Sequence, residues 1–168
     1  MKTQNILISI ILLTLLIASR LIPHISNFTP VFAIGLFSYT LFKKNSLSFV
    51  LPILGMLFTD LFIGFYQNVW AVYLSMAIAI VVSNLINTNK KQITILSRSL
   101  SAPTIFFILS NLSVFFVWYP FSLEGFVSCY VNAIPFYGYS IASTLIYSFV
   151  FYSIHYLVLD RNTSFVKN

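Results

Sequence analysis

The sequence predicts an all-α, polytopic integral membrane protein with six transmembrane helices and an additional short interfacial or re-entrant helix before the last span. Three observations lead there. The 168-residue chain is 59% hydrophobic and 7% charged, with a mean hydropathy of +0.94, far from the composition of soluble domains. Its apolar residues fall into runs of membrane-crossing length separated by short polar stretches. Its basic residues collect on one side of the alternation that those runs define. The chain, 1–168, reads as a single membrane domain.

A spanning helix takes about 20 mainly apolar residues, within a range of about 17–25. The first, about 5–22, lies in MKTQNILISIILLTLLIASR. It has the look of a secretory leader, yet it lacks a small-x-small cleavage site and its apolar run reaches Ile22, so it reads as a retained helix. The second, about 28–42 (FTPVFAIGLFSYTLF), is shorter and spans only with little tilt or with thinning of the bilayer around it. The third, fourth, fifth and last spans are about 47–65, 69–86, 101–119 and 138–159. Between the last two, PFSLEGFVSCYVNAIPFY (120–137) is bounded by Pro120 and Pro135 with Gly138 beyond. About three helical turns are too short to cross, which places this piece as a separate interfacial or re-entrant helix. A re-entrant piece would itself imply a cavity, because irregular backbone at membrane depth must be buried in protein or line one.

Numbering the spans fixes the side of every loop. The even loops and both termini then hold Lys2, Lys43, Lys44, Lys90, Lys91, Arg98, Arg161 and Lys167, while the odd side holds Arg20 alone. The positive-inside rule therefore puts both termini in the cytoplasm, and the cell membrane of a bacterium suits the chain. Dropping the short second span would scatter the lysines over both sides.

Several function classes fall away. The +6 charge is dispersed between apolar runs and forms no basic face for nucleic acid. One cysteine allows neither an internal disulfide nor a Cys-x-x-Cys site. His24 and His155 lie near opposite ends of the bundle, so no metal site is expected, and no cofactor. Neither HExxH, GxSxG nor a P-loop occurs, and three dispersed acids make no acid/base pair, so the chain does not read as an enzyme.

What demands explanation is a set of polar and aromatic residues in the outer half: Arg20, His24, Asn27, Asp60, Trp70, Asn111, Trp118, Cys129 and Asn132. Asp60, in LPILGMLFTDLFIGF, sits about five residues below the outer end of the third span, at a depth where a charge needs a partner or an aqueous cavity. Arg20 is the candidate cation at similar depth. An Arg20–Asp60 pair is expected, with Met56, Asp60 and Gly64 on one inward face of the third helix; it serves either as a lock between helices or as a site wall. His24 and Asn27 lie in SRLIPHISNFTP, where two prolines stiffen the outer loop into a lid or simply a tight turn. Trp70, Trp118, Tyr66, Tyr119 and Tyr137 form an aromatic belt or the wall of a pocket for a flat ligand. Asn111 reads as an interhelical hydrogen bonder. Cys129, beside Asn132, reads as a small buried hydrophobe or as a thiol facing the cavity.

The segments RLIPHISNFTPVFAIGLF, LPILGMLFTDLFIGF and CYVNAIPF resemble a family of small, uncharacterised bacterial inner-membrane proteins, over most of residues 19–137. That family in turn resembles the substrate-binding S components of energy-coupling factor (ECF) transporters, through size, six helices and polar outer loops. The resemblance implies an outward-facing pocket for a vitamin or precursor, closed by the loop at 23–30. It also implies docking on a transmembrane coupling subunit driven by ATPases. The Ala-x-x-x-Ala pair that many S components use for docking is represented here by Thr14 and Ala18, in the outer half. The expected function is thus a membrane transport subunit that binds a small organic solute at its outer face. The alternative is a structural or assembly protein with membrane partners and no small-molecule ligand.

Overall fold

The computed structural model describes residues 2–23, 25–42 and 46–157, and the side chains among them except those of 2–4, 46 and 47. His24 and the basic residues Lys43, Lys44, Arg161 and Lys167 lie outside that set. The described residues form six α-helices: α1 (Lys2–Leu21), α2 (Val31–Leu41), α3 (Val50–Ile63), α4 (Val69–Leu85), α5 (Lys91–Trp118) and α6 (Leu123–His155), with a 3-10 turn, Ser46–Phe49, leading into α3. They contain no strand. Two of the helices, α5 and α6, are long and apolar enough to cross a bilayer.

The centre of the molecule is its shortest helix. α2 is apolar on every side, VFAIGLFSYTL, and a helix without a polar face must be enclosed. It packs against all five other helices, and Val31 to Ser38 and Leu41 are buried. Eleven residues make about 16 Å of helix, roughly half the hydrocarbon thickness, so α2 is a plug inside the bundle. Neighbouring helices bond to its backbone: Asn5 donates to Leu41 O, at its C-terminus, at 3.3 Å, and the Tyr152 hydroxyl donates to Leu36 O, at its middle, at 3.1 Å.

The largest departure from expectation is the 120–137 segment, which is not a separate helix. It is the N-terminal half of α6, a continuous 33-residue helix that runs through Pro135 and Gly138. The true start signal is Ser122, whose hydroxyl accepts from Gly125 N–H at 3.0 Å just after Pro120. Pro135 removes one helical hydrogen bond at an exposed position, a loss of about 3 kcal/mol that the long contact with α5 offsets. α5 likewise begins ten residues before the expected 101 and carries buried Pro103 inside it. Arg98, expected in a loop, is therefore a helical residue: its Nε donates to Ile86 O at 2.8 Å and its guanidinium lies 5.1 Å from the Tyr39 ring centre. On α3 the inward face is Pro52, Gly55, Thr59 and Asp60; Gly64 is the exposed C-cap at φ +102°, a backbone conformation that favours glycine.

The chain reverses between α1 and α2 through a turn closed by Phe28 N–H on Ile25 O at 3.0 Å, with Asn27 at φ 62°. Arg20, Asn27 and Tyr66 lie toward the end of the bundle where α5 finishes at Trp118, and α5 starts at Lys91 at the other end. α1 and α3 approach closely where Gly55 faces Leu16: a Cβ at 55 would fall 2.4 Å from Leu16 Cδ2, and Leu16 is fully buried. Gly55→Val should lower stability by about 1–3 kcal/mol, whereas Gly138→Ala, where a Cβ meets nothing, should hold or raise it. Unfolding in detergent, followed by circular dichroism, compares the two.

Candidate functional site

A carboxylate in an apolar bundle survives only if its charge is matched and its oxygens are hydrogen-bonded. Asp60, 1% exposed, is matched on both sides. Arg20 Nη2 on α1 donates to Oδ1 at 2.7 Å, and the Tyr73 hydroxyl on α4 donates to Oδ2. The expected pair therefore forms, with a third member that ties α4 to α1 and α3. Arg20 Nη1 also donates to Met56 O at 3.3 Å, one turn before Asp60. Tyr73 was hidden among the aromatics, but it continues the buried row Val69, Tyr73, Met76, Ile80, Ser83 at helical spacing, which marks it as inward-facing.

Arg20 has one face on this network and another on a void. Two adjoining cavities of about 230 and 280 Å³ open at the Trp118 end, sharing Asn27, Tyr66, Val72, Phe106 and Ser140 in their walls. The first reaches from Arg20 and Met56 to Thr29 and Phe32; the second runs between α5 and α6, past Phe107, Ser110 and Asn111 to Tyr137. Among the lining side chains Arg20 alone is charged. A guanidinium has five N–H donors. Its hydrogen bonds to Asp60 and to the oxygen and sulfur of Met56 leave the Nε–H and one Nη2–H without an acceptor among the described residues. Tyr66, in the α3–α4 connection, has its hydroxyl pushed above the usual tyrosine range by desolvation and then by the Asp60 charge, with Arg20 partly opposing; it faces the cavity as a neutral donor.

The predicted residues divide around this void. Arg20, Asn27 and Asn111 line it, and Asp60 lies directly behind Arg20. Asn111 bonds within its own helix, Nδ2 to Phe107 O at 2.7 Å, and not across helices as expected, because Phe107 O is the nearer acceptor one turn back. Trp70 and Trp118 are 71% and 63% exposed and turn outward, so the flat surfaces of the cavity are instead Phe32, Phe106, Phe107 and Tyr137, the last two stacked at 4.6 Å. Cys129 is buried with its thiol on Asn111 O at 3.4 Å, and Asn132 is exposed, donating to Tyr119 Oη at 3.3 Å; neither lines the cavity. His24 lies outside the described residues. The aromatic wall was hard to read because phenylalanine is everywhere in this chain.

Fold and site together define an all-helical protein, two of whose helices are fit to cross a membrane, with a charge-matched cavity at one end. The chain belongs to a family of unknown function (DUF6580), whose model matches residues 1–166. No curated protein and no solved structure matches it.

The network gives a direct test. Asp60→Ala strands Arg20, itself only 14% exposed, and should cost about 3–5 kcal/mol of stability. The double variant Arg20→Met/Asp60→Asn, which removes both charges with little change of volume and leaves Tyr73 an acceptor, should recover most of that loss. Urea or thermal unfolding of the three proteins in one detergent reads the difference.

Proposed function

We propose that this protein captures a small organic solute at the outer face of a bacterial cell membrane, acting as a transport subunit of the ECF S-component kind. The observation that carries the reading is the void beyond Arg20. A scaffold that used the Arg20–Asp60 pair only as a lock would pack against the guanidinium, whereas here the guanidinium has donors to spare and borders a cavity of about 230 Å³. Asp60 holds Arg20 in place and neutralises it, so the site favours a ligand with a polar acceptor edge over a bare anion. Phe32, Phe106 and Phe107 suit a flat ring, as in vitamins and their precursors. Asn27, on the turn before α2, lines both cavities and takes the lid role.

In this reading the chain has six spans with cytoplasmic termini. α2 and α3, at 11 and 14 residues, then sit in a locally thinned bilayer or are shielded by their neighbours. The chain holds no P-loop, so uphill transport takes its energy from a coupling subunit with ATPases. A second reading, a structural or assembly subunit, has its own support in Asp60: both oxygens are taken by helix neighbours, as a pure lock requires.

A thermal-shift screen of the detergent-purified protein against vitamins and their precursors separates the two. A ligand at about 100 times its Kd should add about 2.7 kcal/mol of stability to the wild type. It should add nothing to Val72→Trp, which fills the wall shared by the two cavities. No shift from any compound, with Val72→Trp as stable as the wild type or more so, would favour the scaffold.

A further inference from the structure

The two cavities at the Trp118 end have walls of different kinds. Val72, Phe106 and Ser140 border both, so the cavities are lobes of one pocket. At about 230 and 280 Å³ each lobe alone falls short of the roughly 300–1,000 Å³ usual for an organic ligand, and together they enter that range. An occupant of ordinary size therefore has two parts, one in each lobe.

The lobe between α5 and α6 is the aromatic one. The Phe107 and Tyr137 rings stack with centroids 4.6 Å apart, and such a flat wall takes a ligand ring by offset stacking or edge contact. Polar groups stand beside it. Asn111 Nδ2 is used by Phe107 O, which leaves Asn111 Oδ1 an acceptor without a donor among the described residues. Ser110, 7% exposed, makes no hydrogen bond through its hydroxyl among the described residues. Such a wall favours a ring with an N–H or O–H at its edge.

The lobe at Arg20 is aliphatic, lined by Val31, Met56, Ile63 and Met76. Its own aromatic ring, Phe32, packs at 5.1 Å against Phe106, which borders both lobes. Thioether and aliphatic side chains adapt to a flexible chain better than to a rigid plane. Here Arg20 brings an Nε–H and one Nη2–H that have no acceptor among the described residues, but its charge is already matched by Asp60 at 2.7 Å. A ligand carboxylate would lose its hydration for a cation that is already neutralised, close to a second carboxylate. An uncharged oxygen accepts the same N–H groups at a much smaller desolvation cost.

We infer that the pocket takes an uncharged ring-and-tail molecule: a flat ring with an N–H or O–H edge against Phe107 and Tyr137, and an aliphatic tail ending in a hydroxyl or carbonyl oxygen bound by Arg20. Resting on the solute-capture reading, this fixes the orientation of the ligand and excludes tails that end in a carboxylate.

Three probes that differ only in the tail test it: indole, indole-3-propanol and indole-3-propionate. Equilibrium dialysis of the detergent-purified full chain against micelles alone gives their affinities. Indole-3-propanol should bind about tenfold more tightly than indole, the effect of one hydrogen bond to a charged donor, and about tenfold more tightly than indole-3-propionate. Val114→Trp, in the aromatic lobe, should remove binding of indole and of the alcohol alike. Ile63→Trp, at an exposed position that lines only the Arg20 lobe, should reduce the alcohol to the affinity of indole and leave indole unchanged; Thr29→Leu, in the same lobe, serves if that variant misfolds. Arg20→Met/Asp60→Asn should likewise reduce the alcohol to the affinity of indole, since the donors are gone. Equal binding of indole and the alcohol, tighter binding of the propionate, or loss of indole in Ile63→Trp would each overturn the inference while leaving a solute site in place. No binding of any of the three also overturns it, and reaches the solute-capture reading only if the vitamin screen is silent as well.

Discussion

One buried charge organises the upper half of this molecule. Asp60 is almost wholly removed from solvent in a chain that is 59% hydrophobic, and an unmatched carboxylate there would be strongly destabilising. Matching it takes Arg20 from α1 and Tyr73 from α4, so a single side chain fixes three helices relative to one another. The same bond decides which way Arg20 points. With Nη2 held by Asp60 and Nη1 by Met56, Arg20 is fixed where it lines the cavity, and the cavity inherits its one charged lining group from a requirement of folding. One arginine thus serves both the fold and the cavity wall.

The lower half is held differently. There Arg98 is buried against Ile86 O and the Tyr39 ring, the hydroxyls of Ser38 on α2, Ser83 on α4, Ser99 on α5 and Ser148 on α6 are buried without hydrogen-bond partners, and Tyr152 and Thr40 link α6 to α2. Small side chains let the helices approach closely, which is the usual basis of helix association where lipid supplies no hydrophobic drive. Gly35 under Ile80 and Gly55 under Leu16 extend that rule to the central plug and to the α1–α3 seam.

Much of the helical architecture was legible in the sequence, because apolar runs and turn residues are strong signals. The starts of α2 and α4 were placed within three residues, since apolar runs open there. The long helices were misread at their starts for two reasons. Pro135 and Gly138 look like boundaries, yet a proline removes one hydrogen bond and a glycine weakens one turn, and α6 has its long contact with α5 to set against that; α5 begins at Lys91, in a polar stretch that hydropathy alone assigns to a loop. For the site, Arg20 and Asp60 could be paired in advance because the interior offers a charge few alternatives. Tryptophans misled for the converse reason: Trp70 and Trp118 satisfy themselves at a surface, and nothing in the residue type tells belt from pocket. The cavity walls are phenylalanine and serine, the chain's commonplace residues, and only packing singles out the ones that matter.

The position of α2 has a consequence for how such a chain is made. Synthesis delivers α1 and its arginine first, then a helix that the finished protein encloses on all sides, before most of its enclosing helices exist. Under the proposed membrane topology, a helix with no polar face can wait in lipid until they arrive. In that topology Asp60 emerges forty residues after Arg20, so the cation is already at hand when the acid enters the membrane, and Tyr73 closes the arrangement thirteen residues later. The order of the helices along the chain would then also be a safe order of insertion, in which no step leaves the buried acid without its counter-ion.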